Sequence, residues 1–154
     1  MQESRWLSDD QLRAWVHYLG AQTLVQRAIE RHLHETAGIS HAEYEILTRL
    51  DAAPDRRMRM GELAAVLFSP GSRLNYRITR LAGLGWVRRE QHPTDRRGLY
   101  AVLTAEGAEF LHGVAPGYRR AVHESVVNPL TDDEFAELGR ISRKLFQHHL
   151  GRGD

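Results

Sequence analysis

Cysteine is absent from this 154-residue chain, which excludes disulfides, cysteine-ligated zinc, thiol catalysis and thiol-based redox sensing. Long apolar runs are missing too. No stretch approaches the roughly 18 apolar residues that a membrane span needs, and the first residues, MQESRWLSDDQ, hold no apolar signal region. The expectation is a cytoplasmic protein with no membrane attachment. There is no Gly-rich phosphate loop and no nucleophile-elbow setting for a serine, and the acids fall mostly at helix caps and surface positions. General acid–base chemistry has no nominated pair, so neither an enzymatic activity nor a cofactor is expected. Lysine is almost missing: Lys144 is the only one, and the other twenty basic residues are arginine. An arginine excess spread along a chain rich in Ala, Gly and Leu reports GC-rich coding more simply than selection for phosphate contacts.

Codon usage cannot, however, separate charges of opposite sign. The formal net charge is only +1, yet residues 56–100 hold ten arginines against three acids while the remainder holds eleven bases against seventeen acids. A basic block of this kind is the electrostatic footprint of nucleic-acid binding. The length suits one domain with a real core, or a compact lobe with helical extensions.

Three helix starts carry the same device, a Ser or Thr hydroxyl that satisfies an orphan amide while Glu or Gln three residues on reaches back: Ser8 to Gln11, Ser40 to Glu43, and Thr131 to Glu134. After the first, Leu12, Trp15, Val16, Leu19, Val25, Ala28, Ile29 and Leu33 keep helical spacing, and Gly38 is placed to end the helix in a left-handed turn. Such a helix spans roughly 40 Å at about 1.5 Å per residue, longer than a small lobe can cover. A second helix, from about His41 to Ala52, buries Tyr44, Ile46, Leu47 and Leu50 and stops before Pro54. A loop follows, then a short helix from Met60 to Leu67. Phe68-Ser69-Pro70-Gly71 turns into the next helix, with Ser69 as N-cap and Pro70 at the first helical position. This is a helix-turn-helix layout.

Projected at 100 degrees per residue, the helix from Pro70 to Leu84 sets Leu74, Ile78 and Leu81 on one stripe. The opposite face carries Ser72, Tyr76 and Thr79, flanked by Arg73, Asn75 and Arg80, with Arg77 nearer the buried edge. These side chains donate to phosphates or read base edges in a major groove. Gly83 and Gly85 end the helix, and two strands, Trp86 to Gln91 and Leu99 to Thr104, enclose the loop His92-Pro93-Thr94-Asp95-Arg96-Arg97-Gly98. Strands and loop form a β-wing whose arginines suit a narrow, electronegative minor groove. Asp95 would repel phosphate if free, so its expected role is structural, pairing with Arg97 or Arg96. From Ala105 the chain is helical to about Val127, breaks at Asn128-Pro129, and resumes from Thr131 to His149 with Phe135, Leu138, Ile141, Leu145 and Phe146 on one side. These flanking helices need a partner for their apolar stripes. A homodimer supplies one and spaces two recognition helices about 34 to 36 Å apart, one duplex turn. The expected fold is mainly α with a small β-wing: a single domain over residues 1–154, with a winged helix-turn-helix lobe at about 40–104 and helical dimerisation regions at about 8–37 and 105–150.

The stretch Asp95-Arg96-Arg97-Gly98-Leu99-Tyr100-Ala101-Val102-Leu103-Thr104 resembles the D-x-R-x6-T wing signature of MarR-type winged helix-turn-helix regulators, and residues 81–89 resemble their recognition-helix exit. The resemblance covers about residues 10 to 148. It implies a homodimeric bacterial transcription factor, usually a repressor, that binds double-stranded DNA at pseudo-palindromic operators and leaves them when a small molecule binds. By the family pattern Arg97 is the minor-groove arginine, Asp95 its orienting partner, and Ser72 to Arg80 the major-groove surface; Ser69 and Thr94 sit at the edges of the two reading elements. Met60 stands where the family often has a Ser or Thr cap, and Trp86 where Leu or Phe is commoner.

In this family, effectors commonly sit where dimerisation helices meet the winged-helix lobe. Trp15, Tyr18, Leu19, Tyr44 and Phe68 are the candidate lining for a small aromatic or phenolic ligand, with His17, His41 or Arg49 as polar partners. Core and dimer packing is the competing reading of those aromatics. Nine histidines raise a zinc-responsive alternative through His112, Glu109 and His41, although His32, His34 and Glu35 are too close along a helix to share one face. No metal is expected. A winged helix used for protein contacts is the other alternative, and weak, sequence-blind DNA binding would distinguish it.

Overall fold

The computed structural model describes residues 6–95 and 98–151. The element order is α1 (Asp9–Ala37), α2 (His41–Ala52), a 3₁₀ turn (Pro54–Arg56), β1 (Arg57–Arg59), α3 (Met60–Val66), α4 (Gly71–Gly83), β2 (Val87–Gln91), β3 (Leu99–Leu103), α5 (Ala105–Val122), a π-helical turn (His123–Val127) and α6 (Asp132–Leu150). The chain divides into two compact units, one from Glu30 to Tyr118, the other formed by the residues up to Ile29 with those from Arg119 onward.

All three expected capping boxes form. Ser8 and Gln11 exchange backbone-to-side-chain bonds of 2.9 and 3.3 Å, and both Ser40–Glu43 and Thr131–Glu134 close reciprocally. At the exposed Thr131 cap, backbone and hydroxyl hydrogen bonds hold the Glu134 carboxyl below its ordinary value. Gly38, at φ 68, ends α1 as expected, its amide donating to His34 at 3.1 Å.

The core of the Glu30–Tyr118 unit is built from Leu33, Ile39, Ile46, Leu47, Leu50, Leu63, Leu74, Ile78, Leu81, Val87 and Ala101, each almost fully buried. Three elements depart from the sequence reading. The segment before α3 is not all loop: β1 pairs antiparallel with β3, Arg57 opposite Val102 and Arg59 opposite Tyr100, giving a three-stranded sheet in the order β1-β3-β2. Ser69 is not the N-cap of α4. Its amide instead closes the end of α3 by donating to Ala64 at 3.0 Å, while Phe68, at φ 49, donates to Ala65 at 3.1 Å. That is a left-handed C-cap with phenylalanine where glycine is usual. Pro70 therefore becomes the capping residue of α4, which makes no side-chain cap bond and starts at Gly71. Lastly, the α-helical geometry after Ala105 ends at Val122, and the five residues to Val127 are π-helical.

In the other unit, α6 keeps its apolar stripe exposed: Phe135, Leu138, Ile141, Leu145 and Phe146 are all more than a third accessible. Leu12, Trp15, Val16, Tyr18 and Leu19 of α1 are likewise exposed. Among the described residues no helix is long and apolar enough to cross a membrane.

Candidate nucleic-acid interface

Helix α4 separates its faces as its sequence dictates. Leu74, Ile78 and Leu81 are buried, whereas Ser72, Arg73, Asn75, Tyr76 and Thr79 are exposed and Arg77 is half-buried. Tyr76 is 73% exposed, well above what is usual for an aromatic ring. Arg73 and Arg77 line one side of a groove of about 200 Å³ with Phe68, Ser69 and Glu45. At the C-terminus of α4, Gly85 adopts φ 79, with its amide and that of Trp86 donating to Ala82 and Leu81. This left-handed turn sends the chain directly into β2.

Two arginines tie the polar face down, and only one was among the expected site residues. Arg80, expected to read DNA, turns inward: it donates to the carboxylate of Glu43 at 2.5 Å and to the Gly38 carbonyl at 3.0 Å. Glu43 is 4% exposed, and its other carboxylate oxygen accepts from the Ser40 amide and hydroxyl. A buried carboxylate needs a cation more than a solvated phosphate does, which is why Arg80 serves as a clamp between α2 and α4. Arg89 on β2 works from the other side. One guanidinium nitrogen donates to the Asn75 carbonyl (3.2 Å), the Asn75 side chain (2.8 Å) and the Thr79 hydroxyl (2.8 Å). Strand alternation was the available signal for it, since Arg89 lies two residues beyond the buried Val87 and so shares its face.

The wing pairs β2 with β3, Val87 opposite Leu103 and Gln91 opposite Leu99. Thr104, the threonine of the wing signature, anchors its base: the hydroxyl donates to Gly85 at 2.7 Å and accepts from the Gly107 amide at 3.0 Å, capping α5. Gly107 has no room for a side chain, because a Cβ there would lie 2.2 Å from the Trp86 carbonyl oxygen. The Trp86 ring stacks on Phe110 with centroids 3.7 Å apart.

At the tip, Thr94 and Asp95 are exposed, while Arg96 and Arg97, the expected minor-groove residues, lie outside the described residues. Asp95 approaches a cation the sequence did not suggest, Arg59 of β1, at 4.0 Å. Arg59 also meets the His92 ring at 2.5 Å and lies over the face of Tyr100, as does Arg57. A hydrogen bond with Tyr100 raises the Arg59 pKa above its ordinary value; burial opposes this, and the charges of Tyr100, Asp95 and Glu62 add to it. Nothing in the sequence flagged this group, since β1 is too short to show a period.

The candidate effector residues fall in both units. Trp15, Tyr18 and Leu19 are on the exposed part of α1, with the rings of Trp15 and Tyr18 stacked at 5.9 Å. In the other unit Tyr44 stacks on Tyr118 at 4.1 Å, and His41 contacts the Tyr118 hydroxyl at 3.1 Å. Burial, followed by the charges of Tyr44 and Glu45, raises the Tyr118 pKa. Arg49 lies elsewhere, lining a cavity of about 480 Å³ with Arg57, Met58, Val66 and Tyr100. Phe68 is 66% exposed. The zinc candidates are likewise apart, His112 bonding Asp51 at 3.0 Å and His41 bonding Tyr118; among the described residues no three His, Asp or Glu could share a metal ion.

The MarR family profile matches residues 37–98. The transcriptional repressor MprA of Escherichia coli K12 is 30% identical over 108 residues, which is 70% of this chain and 61% of MprA, so the match spans about three-fifths of that relative. Transcriptional regulator HosA of Escherichia coli O111:H- is 30% identical over 138 residues, 90% of this chain and 79% of HosA. Among solved structures, Sco3205, a MarR family transcriptional regulator from Streptomyces coelicolor in complex with DNA, superposes with a TM-score of 0.91 at 40% identity, covering 96% of this chain and 92% of that one.

Proposed function

The chain belongs to the MarR family, and on that premise we propose that it is a sequence-specific DNA-binding transcriptional regulator. In this reading it is a repressor that works as a homodimer on a pseudo-palindromic operator and leaves it when a small molecule binds. The observation that carries the reading is the recognition helix itself: an exposed row of Ser72, Arg73, Asn75, Tyr76 and Thr79, backed by a buried leucine–isoleucine stripe and fastened to the wing by Arg89. A polar face held this rigidly loses little entropy on docking, which is what base reading requires. The DNA in the Sco3205 complex and the repressor MprA support the partner and the sign of regulation.

The exposed stripes of α1 and α6 support homodimerisation, since apolar faces this long are rarely left in water. Two-fold symmetry then sets the recognition helices about one duplex turn apart. Arg97 takes the minor groove and Asp95 orients the tip. Of the effector candidates, His41 and Tyr44 lie together at Tyr118, and they are the ones proposed for a small aromatic or phenolic ligand.

The test is selection of binding sites from a random duplex pool, followed by a salt titration on the selected site. A dyad with half-sites one turn apart and a steep loss of affinity with salt is expected, because several phosphate contacts release counterions. Arg97→Ala weakens all sites alike, whereas Arg73→Ala or Tyr76→Ala changes the preferred sequence. Monomeric protein with weak, sequence-blind binding would overturn the reading. Tryptophan fluorescence and DNA affinity that ignore a panel of phenolic acids would remove the effector.

A further inference from the structure

We propose that Arg89 is a positioning residue for base reading: it holds the Asn75 carboxamide by its oxygen, so that Asn75 meets the major groove through its amino group and selects guanine. The inference deepens the DNA-binding reading above and rests on it. Asn75 lies on the exposed face of α4, one turn before Thr79. Arg89 reaches it from β2, where it stands opposite Ala101. A single guanidinium nitrogen, Nη2, donates to the Asn75 Oδ1 at 2.8 Å, to the Thr79 hydroxyl at 2.8 Å and to the Asn75 main-chain carbonyl at 3.2 Å. The Thr79 hydroxyl donates in turn to that same carbonyl at 2.9 Å.

These bonds fix the polarity of two side chains. A guanidinium offers donors and no lone pair, so the end of the carboxamide that lies 2.8 Å from it must be the oxygen. Turned about its last torsion, the amide would set its NH2 against the guanidinium, two donors with no acceptor between them, and would lose a charge-assisted bond. An asparagine held by nothing has no such constraint. Both of its ends reach a base, which is how asparagine pairs with adenine, accepting from N6 and donating to N7. Here the oxygen already carries a cation. An adenine or cytosine amino group brought to it would meet the positive charge of Arg89, whereas the Asn75 NH2 has no acceptor among the described residues. Guanine presents two acceptors, O6 and N7, side by side in the major groove. Thr79 adds no competing donor, because its proton is committed to the Asn75 carbonyl. Nor do the acids of this region draw Arg89 away: Glu90 is held by Arg88 and Glu43 by Arg80.

Base identity at one position separates this role from a merely structural one. Sites are selected from a random duplex pool with the natural protein, with Asn75→Ala and with Arg89→Met, which keeps much of the side chain's length and removes its donors. Asn75→Ala is expected to erase the preference at one position per half-site. There the natural protein should favour guanine over adenine by about fivefold or more, the low end for a bidentate base contact. In Arg89→Met the freed amide turns, so guanine and adenine should be taken alike at that position while the other positions keep their preferences. An unchanged guanine preference in Arg89→Met would overturn the proposal, and so would an equal loss of preference at every position. A base other than guanine where Asn75 reads, or no position that answers to Asn75→Ala, would overturn it too. The hold on Asn75 is also read without DNA. In the free protein, the Asn75 side-chain amide signals of a nitrogen–proton spectrum should shift in Arg89→Met, and identical signals in both proteins would remove the hold. If none of the proteins selects a duplex, the regulator reading falls, and the amide spectrum still decides whether Arg89 holds Asn75.

Discussion

Replacing Arg80 with alanine separates a structural clamp from a base-reading residue. Arg80→Ala strips Glu43 of its 2.5 Å partner and frees the Gly38 carbonyl, while the Ser40 bonds to the other carboxylate oxygen remain. A hydrogen bond to a charged group contributes about 1.5–3 kcal/mol, and removing one partner of a fully buried ion pair costs about 3–5 kcal/mol. The Arg80 side chain is 42% exposed, so water enters the space it leaves and screens the stranded carboxylate; the lower range applies. The expected loss is about 2 kcal/mol, or about 4–8 °C in melting temperature for a chain of this length. Urea unfolding of Arg80→Ala, Glu43→Gln and the double variant, all at one protomer concentration, gives the coupling directly. Coupling of at least about 1 kcal/mol is expected for residues sharing one bond network. Unchanged stability with DNA affinity alone reduced would refute the clamp and return Arg80 to the reading face.

Gly107→Ala should destabilise the protein by about 1–3 kcal/mol, even though alanine favours helix by about 1 kcal/mol, because the obstacle is the Trp86 backbone and cannot rotate away; an unchanged urea midpoint would contradict the 2.2 Å approach. Phe68→Gly should stabilise by about 1 kcal/mol, since φ 49 strains a side-chain-bearing residue and the ring is mostly exposed. A lower melting temperature would show that the ring anchors something. The raised Tyr118 pKa means that the folded state favours the neutral phenol, so its contribution is complete below the ordinary tyrosine range and is lost as pH rises through the folded value. Alkaline unfolding should accordingly flatten in Tyr118→Phe, with spectrophotometric titration reporting one late-ionising tyrosine in the natural protein only.

What can be read along the chain is chemistry closed within a few residues. Ser40 and Glu43, or Thr131 and Glu134, are three apart, so a capping box is complete in the sequence itself. The same holds for the polarity of α4, where a period of 3.6 separates Ile78 from Tyr76, and for the wing, where two short strands frame a turn-rich loop. Errors arise where two local devices compete. Ser69 is a good helix cap by type, but its amide is spent on closing α3, and that decides which residue starts α4.

Sequence by itself determined the helices, the fold class and the polar face of α4, because helical period survives packing. Tertiary structure alone decided which cations face outward. Arg80 and Glu43 are 37 positions apart and Arg59 and His92 are 33 apart, and arginines with identical side chains became a half-exposed clamp on a buried carboxylate, a helix fastener or a partner of the His92 ring. The reason is physical: a guanidinium goes to whichever acceptor is least able to reach water, and burial is a property of the assembled chain rather than of the order of its residues.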